Sequence, residues 1–210
     1  MFLRLVDRRV LVVGGGAVAV RKVRALLATG ASITVVAPKV GTSLTMLAQS
    51  PKYRGRITIE RRPFEPTDAR GCALVFAAAD RPEVNGEAVE AARQYGALVN
   101  AADDPDGCDF LVPSHIARGD LHLAICTAGK APSFSKRLRK MLEETVGPEY
   151  GIWLELVAEA RQRVLDRRDL SQKERARILE RIMGLDLAEL IRAGQTDRAK
   201  EEIETCISHL

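Results

Sequence analysis

The chain has 210 residues, 32 Lys plus Arg against 28 Asp plus Glu for a formal charge of +4, and is 46% hydrophobic and 29% charged. That composition excludes an intrinsically disordered chain and suits one large domain or two small ones. Only 4% of the residues are aromatic, with a single Trp. This argues against a stacking platform for single-stranded nucleic acid, so the basic excess points to an anionic small molecule.

In chain order, the apolar run at residues 9–13 stops abruptly at Gly14-Gly15-Gly16. It reads as a strand buried on both faces of a parallel sheet. Residues 18–29 carry Val20, Val23, Leu26 and Leu27 at helical spacing and stop at Gly30, a helix C-cap. Residues 32–36 predict a second strand, 44–49 a short helix, 57–60 a third strand and 73–78 a fourth. A helix follows over 82–95, ended by Gly96, then a fifth strand over 97–100. This alternation predicts an α/β fold, a Rossmann-type doubly wound parallel sheet, over residues 1–110. Beyond it, 101–109 is loop-like, 110–112 and 121–126 read as strands with a turn at Arg118-Gly119-Asp120, and 133–144 is a basic amphipathic helix ended by Gly147-Pro148. Residues 111–150 thus form a small α+β segment. From Gly151 the chain is all helical to residue 210, with a capping box at Ser171 and Glu174 and a last helix aligning Ile203, Cys206, Ile207 and Leu210.

Cys72, Cys108, Cys126 and Cys206 form no CxxC pair and are expected to be buried, reduced thiols of a cytoplasmic protein. The apolar stretch at the amino terminus is too short for a secretory signal. The longest apolar run, residues 72–79, is eight long against the ~20 of a membrane helix, so no membrane partner is expected. His115 and His122 lack a Cys or carboxylate at matched spacing, so no metal site is expected.

Gly14, Gly15, Gly16, Ala17, Val18 and Ala19 form a G-x-G-x-x-A between a strand and a helix. In a dinucleotide site Gly14 permits the tight turn, Gly16 lets backbone approach a pyrophosphate, and Ala19 lets helix pack closely on strand. A ligandless Gly-rich turn is the alternative. The second strand lacks the acidic residue that binds ribose about 20 positions on. It runs into Pro38-Lys39 instead, which leaves NAD and NADP both open. Asn100-Ala-Ala-Asp103-Asp104 follows the fifth strand, where a carboxylate can act as general base, although Asp-Asp-Pro-Asp-Gly is equally good turn chemistry and on the residues alone the turn is favoured. Residues 115–142 carry Arg118, Lys130, Lys136, Arg137, Arg139 and Lys140 against Asp120 alone, a concentration of positive potential suited to a polyanion. The segment 127–133, with Gly129 and Lys130 ahead of a helix, suits an anion seat.

Six blocks in order carry a family resemblance: 12–22, Thr34-Val-Val-Ala-Pro38, Ala77-Ala-Ala-Asp80 with Val84-Asn85, Val99-Asn100-Ala-Ala-Asp103, Phe110-Leu-Val-Pro-Ser114 and Thr127-Ala-Gly-Lys-Ala-Pro132. Together they resemble the siroheme synthase amino-terminal family of precorrin-2 dehydrogenases, some of which are also sirohydrochlorin ferrochelatases. The resemblance implies NAD-dependent oxidation of precorrin-2 to sirohydrochlorin. It makes Asp103 the catalytic residue, with the neighbouring Asp104 lacking a counterpart. If iron is inserted as well, Asp103 takes the pyrrole protons. NAD is expected across Gly14 to Ala19, with Pro38 beside it and Asp80 and Asn100 near its nicotinamide. The polycarboxylated tetrapyrrole is expected against Ser114, His115, Thr127, Lys130, Lys136 and Arg137. The resemblance further implies an intertwined homodimer built by the middle segment, and because 60 helical residues cannot supply the methyltransferase region of the fused members, a separate upstream uroporphyrinogen methyltransferase is expected. A non-catalytic NAD-sensing module is the competing reading, since the glycine motif alone permits it.

Overall fold

A computed structural model of the protein describes residues 2–208, in two units that divide between residues 111 and 112. In the first, β1 (Arg9–Val13), β2 (Ser32–Val36), β3 (Ile57–Glu60), β4 (Leu74–Ala77) and β5 (Leu98–Ala101) form one parallel sheet in the order β3-β2-β1-β4-β5. Their crossovers contain α1 (Ala17–Leu27), α2 (Thr42–Gln49) and α3 (Pro82–Gln94), while β3 reaches β4 through a single 3-10 turn, Pro66–Ala69. This is the expected Rossmann-type sheet.

The strands are apolar throughout because both faces are covered, and period-two alternation divides them. Val10, Val12, Ile33, Val35, Leu74 and Phe76 share a core with α1 and α2. Leu11, Val13, Val75, Ala77, Val99 and Ala101 share another with α3. The free edge of β5 is occupied by the loop that follows it. Asp109 donates its backbone N–H to the Val99 carbonyl (2.9 Å) and accepts the Val99 N–H on Oδ2 (2.9 Å), which blocks further strand pairing.

The second unit contains β6 (Ser114–Arg118) and β7 (Leu121–Ile125), an antiparallel hairpin, followed by α4 (Pro132–Thr145), α5 (Glu149–Asp166), α6 (Gln172–Met183), α7 (Ala188–Arg192) and α8 (Thr196–Ser208). The middle segment and the helical tail fall in this one unit because α5 packs on both β6 and β7. Its core joins Leu156, Val164, Ile178, Ile182, Leu187 and Ile203. Ser171 caps α6, accepting the Glu174 N–H while Glu174 accepts the Ser171 N–H.

Three sequence expectations are corrected. Residues 110–112 are not a strand: Phe110 turns its carbonyl to Asn100 Nδ2 (2.9 Å) and its ring edge-on to Phe76, and the partner of β7 is residues 114–118 instead. The tail helix begins at Glu149, because Pro148 stands at its N-cap, where a missing N–H costs nothing. All four cysteines are free, but only Cys72 and Cys206 are buried, and Cys126 is exposed at the end of β7. The last helix does place Ile203, Cys206 and Ile207 in the core, while Leu210 lies outside the described residues. Among the described residues no helix is long and apolar enough to cross a membrane, and no cluster of three or more His, Cys, Asp or Glu could hold a metal ion.

Candidate active site

β1 and β4 lie side by side, and the chain leaves them for helices on opposite faces, α1 and α3, so a crevice opens at their carboxyl ends. A cavity of about 890 Å³ lies there, lined by Gly14, Gly15, Gly16, Ala17 and Val18 after β1. Pro38 and Lys39 after β2, Phe64 after β3, and Ala79, Asp80 and Arg81 after β4 complete the wall. That volume is within the range of cofactor sites.

The three glycines do different work. Gly14 donates its N–H to the Val36 carbonyl (2.9 Å), has φ +123°, and would put a Cβ 2.2 Å from the Ala78 carbonyl oxygen. Gly15 would put one 2.1 Å from the Lys39 carbonyl oxygen. The fold itself therefore demands both. Gly16 has an ordinary φ of −89°, and no other part of the protein lies within 4 Å of its Cβ direction. The room beside it suits a ligand. Gly16 is also the N-cap of α1, with no side-chain cap and no acidic residue in the first turn, so the leading N–H groups and the positive end of the helix are left for an anion. The site fits the pyrophosphate of a dinucleotide.

Ala19 and Asn100 lie outside this wall. Ala19 is fully buried, turned from the cavity onto the sheet, which is the packing role that its small size serves. Asn100 faces the α1 side of the sheet, where its Oδ1 accepts from Lys22 Nζ (2.7 Å) and its Nδ2 donates to the Phe110 carbonyl (2.9 Å). The Lys22 ammonium lies 5.1 Å from the Phe76 ring centroid. Burial lowers the Lys22 pKa from 10.5, with nearby Cys108 opposing that shift and Arg21 adding to it.

The two neighbouring aspartates divide their labour. Asp103 is exposed and its Oδ2 accepts from Asn85 Nδ2 (2.8 Å). Asn85, only 3% exposed, accepts the Ala79 N–H on Oδ1 (2.9 Å) and donates to the Ala79 carbonyl (3.2 Å). The carboxylate is thereby tied to a residue of the cavity wall. Asp104 instead accepts the Gly107 N–H (3.0 Å) and closes the turn. The turn reading thus fits Asp104, while Asp103, itself outside the cavity lining, is bonded to Asn85 rather than to the turn.

Residues 1–114 match the family described as "Putative NAD(P)-binding". The chain is 38% identical over 202 residues to a siroheme synthase of Methylococcus capsulatus, an alignment covering 95% of this chain and 41% of that protein. It is 39% identical over 202 residues to siroheme synthase 3 of Aeromonas hydrophila, covering 96% and 42%. The solved structure of SirC, precorrin-2 dehydrogenase, superposes with a TM-score of 0.77 at 27% identity, covering 98% of both chains. The chain belongs to the siroheme synthase amino-terminal family. It spans about two fifths of the length of the siroheme synthases it matches.

For this family member, the remaining sequence-predicted residues all lie in the second unit. Ser114 and His115 are on β6, paired with Ile125 and Ala124 of β7. Thr127 Oγ1 is 3.2 Å from Ser135 Oγ and accepts the Ala131 N–H (3.3 Å), which pins the loop ahead of α4. Lys130, Lys136 and Arg137 are exposed and make no ion pair among the described residues, whereas Arg139 is paired with Glu143. Arg118 is likewise spent on structure, donating to the Val146 carbonyl (3.0 Å). Sequence reasoning missed Phe64 and Arg81 in the wall, and Asn85 as a site residue. For Phe64 and Arg81, position just beyond a strand's carboxyl end was the available signal.

Proposed function

We propose that this protein catalyses the NAD-dependent dehydrogenation of precorrin-2 to sirohydrochlorin in siroheme biosynthesis. The observation that carries the reading is the full-length likeness to SirC, a precorrin-2 dehydrogenase, at 27% identity. The unfilled space at Gly16 and the uncapped α1 terminus support a dinucleotide, with Gly14 to Val18 holding the pyrophosphate and Pro38 and Asp80 also lining the cavity. NAD, when bound, supplies the hydride acceptor. Asp103 accepts the proton released from the tetrapyrrole as the hydride leaves, acting as general base.

Ser114, His115, Thr127, Lys130, Lys136 and Arg137 receive the substrate, its carboxylates meeting the exposed cations Lys136 and Arg137 of α4 and Lys130 of the loop before it. With few aromatic side chains in the protein, charge pairing outweighs ring stacking in holding the macrocycle. The working form is a cytoplasmic homodimer, supported by the exposed Phe134 and Met141 of α4.

The test is to supply purified protein with precorrin-2 and NAD and follow NADH optically. Turnover is expected in the unmodified protein and in Asp104→Ala, and its loss by at least a hundredfold in Asp103→Ala. Absence of turnover with intact NADH binding favours a sensing module, and unchanged turnover in Asp103→Ala removes the base assignment. Sirohydrochlorin with Fe²⁺ in the same variants reports metal insertion separately.

A further inference from the structure

Asn85 sits in the first turn of α3, and each polar atom of its side chain is paired: Oδ1 accepts the Ala79 N–H, and Nδ2 donates to the Ala79 carbonyl and to Asp103 Oδ2. Asn is a poor helix former, and burying its amide is costly unless every polar atom is paired. The demands met here lie outside the helix. Ala79 follows β4 and lines the cavity, whereas Asp103 follows β5, so one amide joins the ends of two adjacent strands. No other side chain of this size offers an acceptor and two donors in one plane. Asp would keep the acceptor and lose both donors, and Ala would lose all three.

We propose that Asn85 is a positioning residue that acts through Asp103, holding its carboxylate in register with the Ala79 wall and hence with the bound nicotinamide. The proposal rests on the reading of Asp103 as the proton acceptor. Asp103 is otherwise an exposed side chain on a loop, free to rotate about χ1 and χ2, and the Asn85 contact selects one orientation. Catalysis is steep in such placement, a displacement of about 1 Å costing up to a hundredfold.

The experiment measures kcat and both KM values in the unmodified protein, Asn85→Ala, Asn85→Asp, Asp103→Glu and the Asn85→Ala/Asp103→Glu double variant. Melting curves serve as the folding control. In Asn85→Ala, kcat is expected to fall about ten- to a hundredfold, with KM for NAD within about threefold, because the interaction lost belongs to the reacting geometry. Asn85→Asp, which preserves size, is expected to fall at least as far, since it sets a second carboxylate against the first. In the Asp103→Glu background, where the carboxylate has already left its seat, Asn85→Ala is expected to cost less than about twofold. An equal fractional loss in both backgrounds marks a merely structural residue and overturns the proposal, as does an unchanged kcat in Asn85→Ala.

A second readout needs no activity. The ¹³C carboxyl resonance of Asp103 in the free protein is expected to move in Asn85→Ala, and an unmoved resonance also overturns the proposal. An unmodified protein that fails to turn over precorrin-2, while this resonance responds to Asn85, overturns the dehydrogenase reading and leaves the positioning contact standing.

Discussion

Gly14→Ala and Gly16→Ala add the same methyl group two residues apart, yet they are expected to act in opposite ways. At Gly14 a methyl group meets the Ala78 carbonyl oxygen at 2.2 Å and the backbone is at φ +123°. Backbone strain of about 1–3 kcal/mol and overpacking of about 1–3 kcal/mol together cost about 4 kcal/mol. For a chain of this length that lowers Tm by roughly 10 °C. At Gly16 the backbone is ordinary and the space open, so the gain of about 0.4–1 kcal/mol from restricting the unfolded chain is offset by the poorer N-cap propensity of Ala, and stability changes by less than about 1 kcal/mol. The ligand response reverses the order of damage. At a hundred times Kd, NADH stabilises the unmodified protein by about 2.7 kcal/mol, a rise of roughly 5–10 °C, whereas Gly16→Ala is expected to rise by less than about 2 °C because its methyl occupies the room beside the pyrophosphate. Thermal melts followed by circular dichroism with and without NADH read both effects. Gly16→Ala melting as low as Gly14→Ala, or retaining the whole NADH rise, refutes the division between a glycine kept for the fold and a glycine kept for the ligand.

Two further predictions concern titration. Because burial lowers the Lys22 pKa from 10.5, the folded protein binds fewer protons than the unfolded chain between the lowered value and 10.5, and stability rises with pH across that window. Chemical denaturation of Lys22→Met, which lacks this group, is expected to show the gap moving in favour of the unmodified protein as pH climbs toward 10.5, and parallel curves contradict it. In the second unit, the Arg192 hydrogen bond to the buried Glu149 (2.5 Å) is the leading cause that holds Glu149 below 4.5, with backbone N–H groups assisting against burial. A depressed carboxylate stabilises above its unfolded pKa and loses that contribution as pH falls through its folded value. Arg192→Leu should therefore lower the urea midpoint at pH 7, with the difference from the unmodified protein shrinking below pH 4.5. A difference that stays constant with pH contradicts the pairing.

The amino acid order alone determined the parallel sheet, the glycine turn and the segment that would hold a dinucleotide. These are local signals: an apolar run at 9–13, three glycines, and a helix whose apolar spacing begins at once. The capping box of α6 is legible for the same reason, since its partners are three residues apart. Where apolar runs are short, local pattern misled. Residues 110–112 look like a strand, but Leu111 and Val112 stay exposed while Phe110 packs on Phe76, far away in sequence. The division of Asp103 from Asp104 could be drawn from family resemblance but not from turn chemistry, which suits both. The tertiary structure gives the two aspartates different partners by bringing Asn85 to Asp103 across 18 residues, and it likewise brings Lys22 to Asn100 across 78. Hydrogen bonds of that reach leave no periodicity in the chain. They come from which strand ends lie side by side, and the crossover order sets that through packing of the whole sheet.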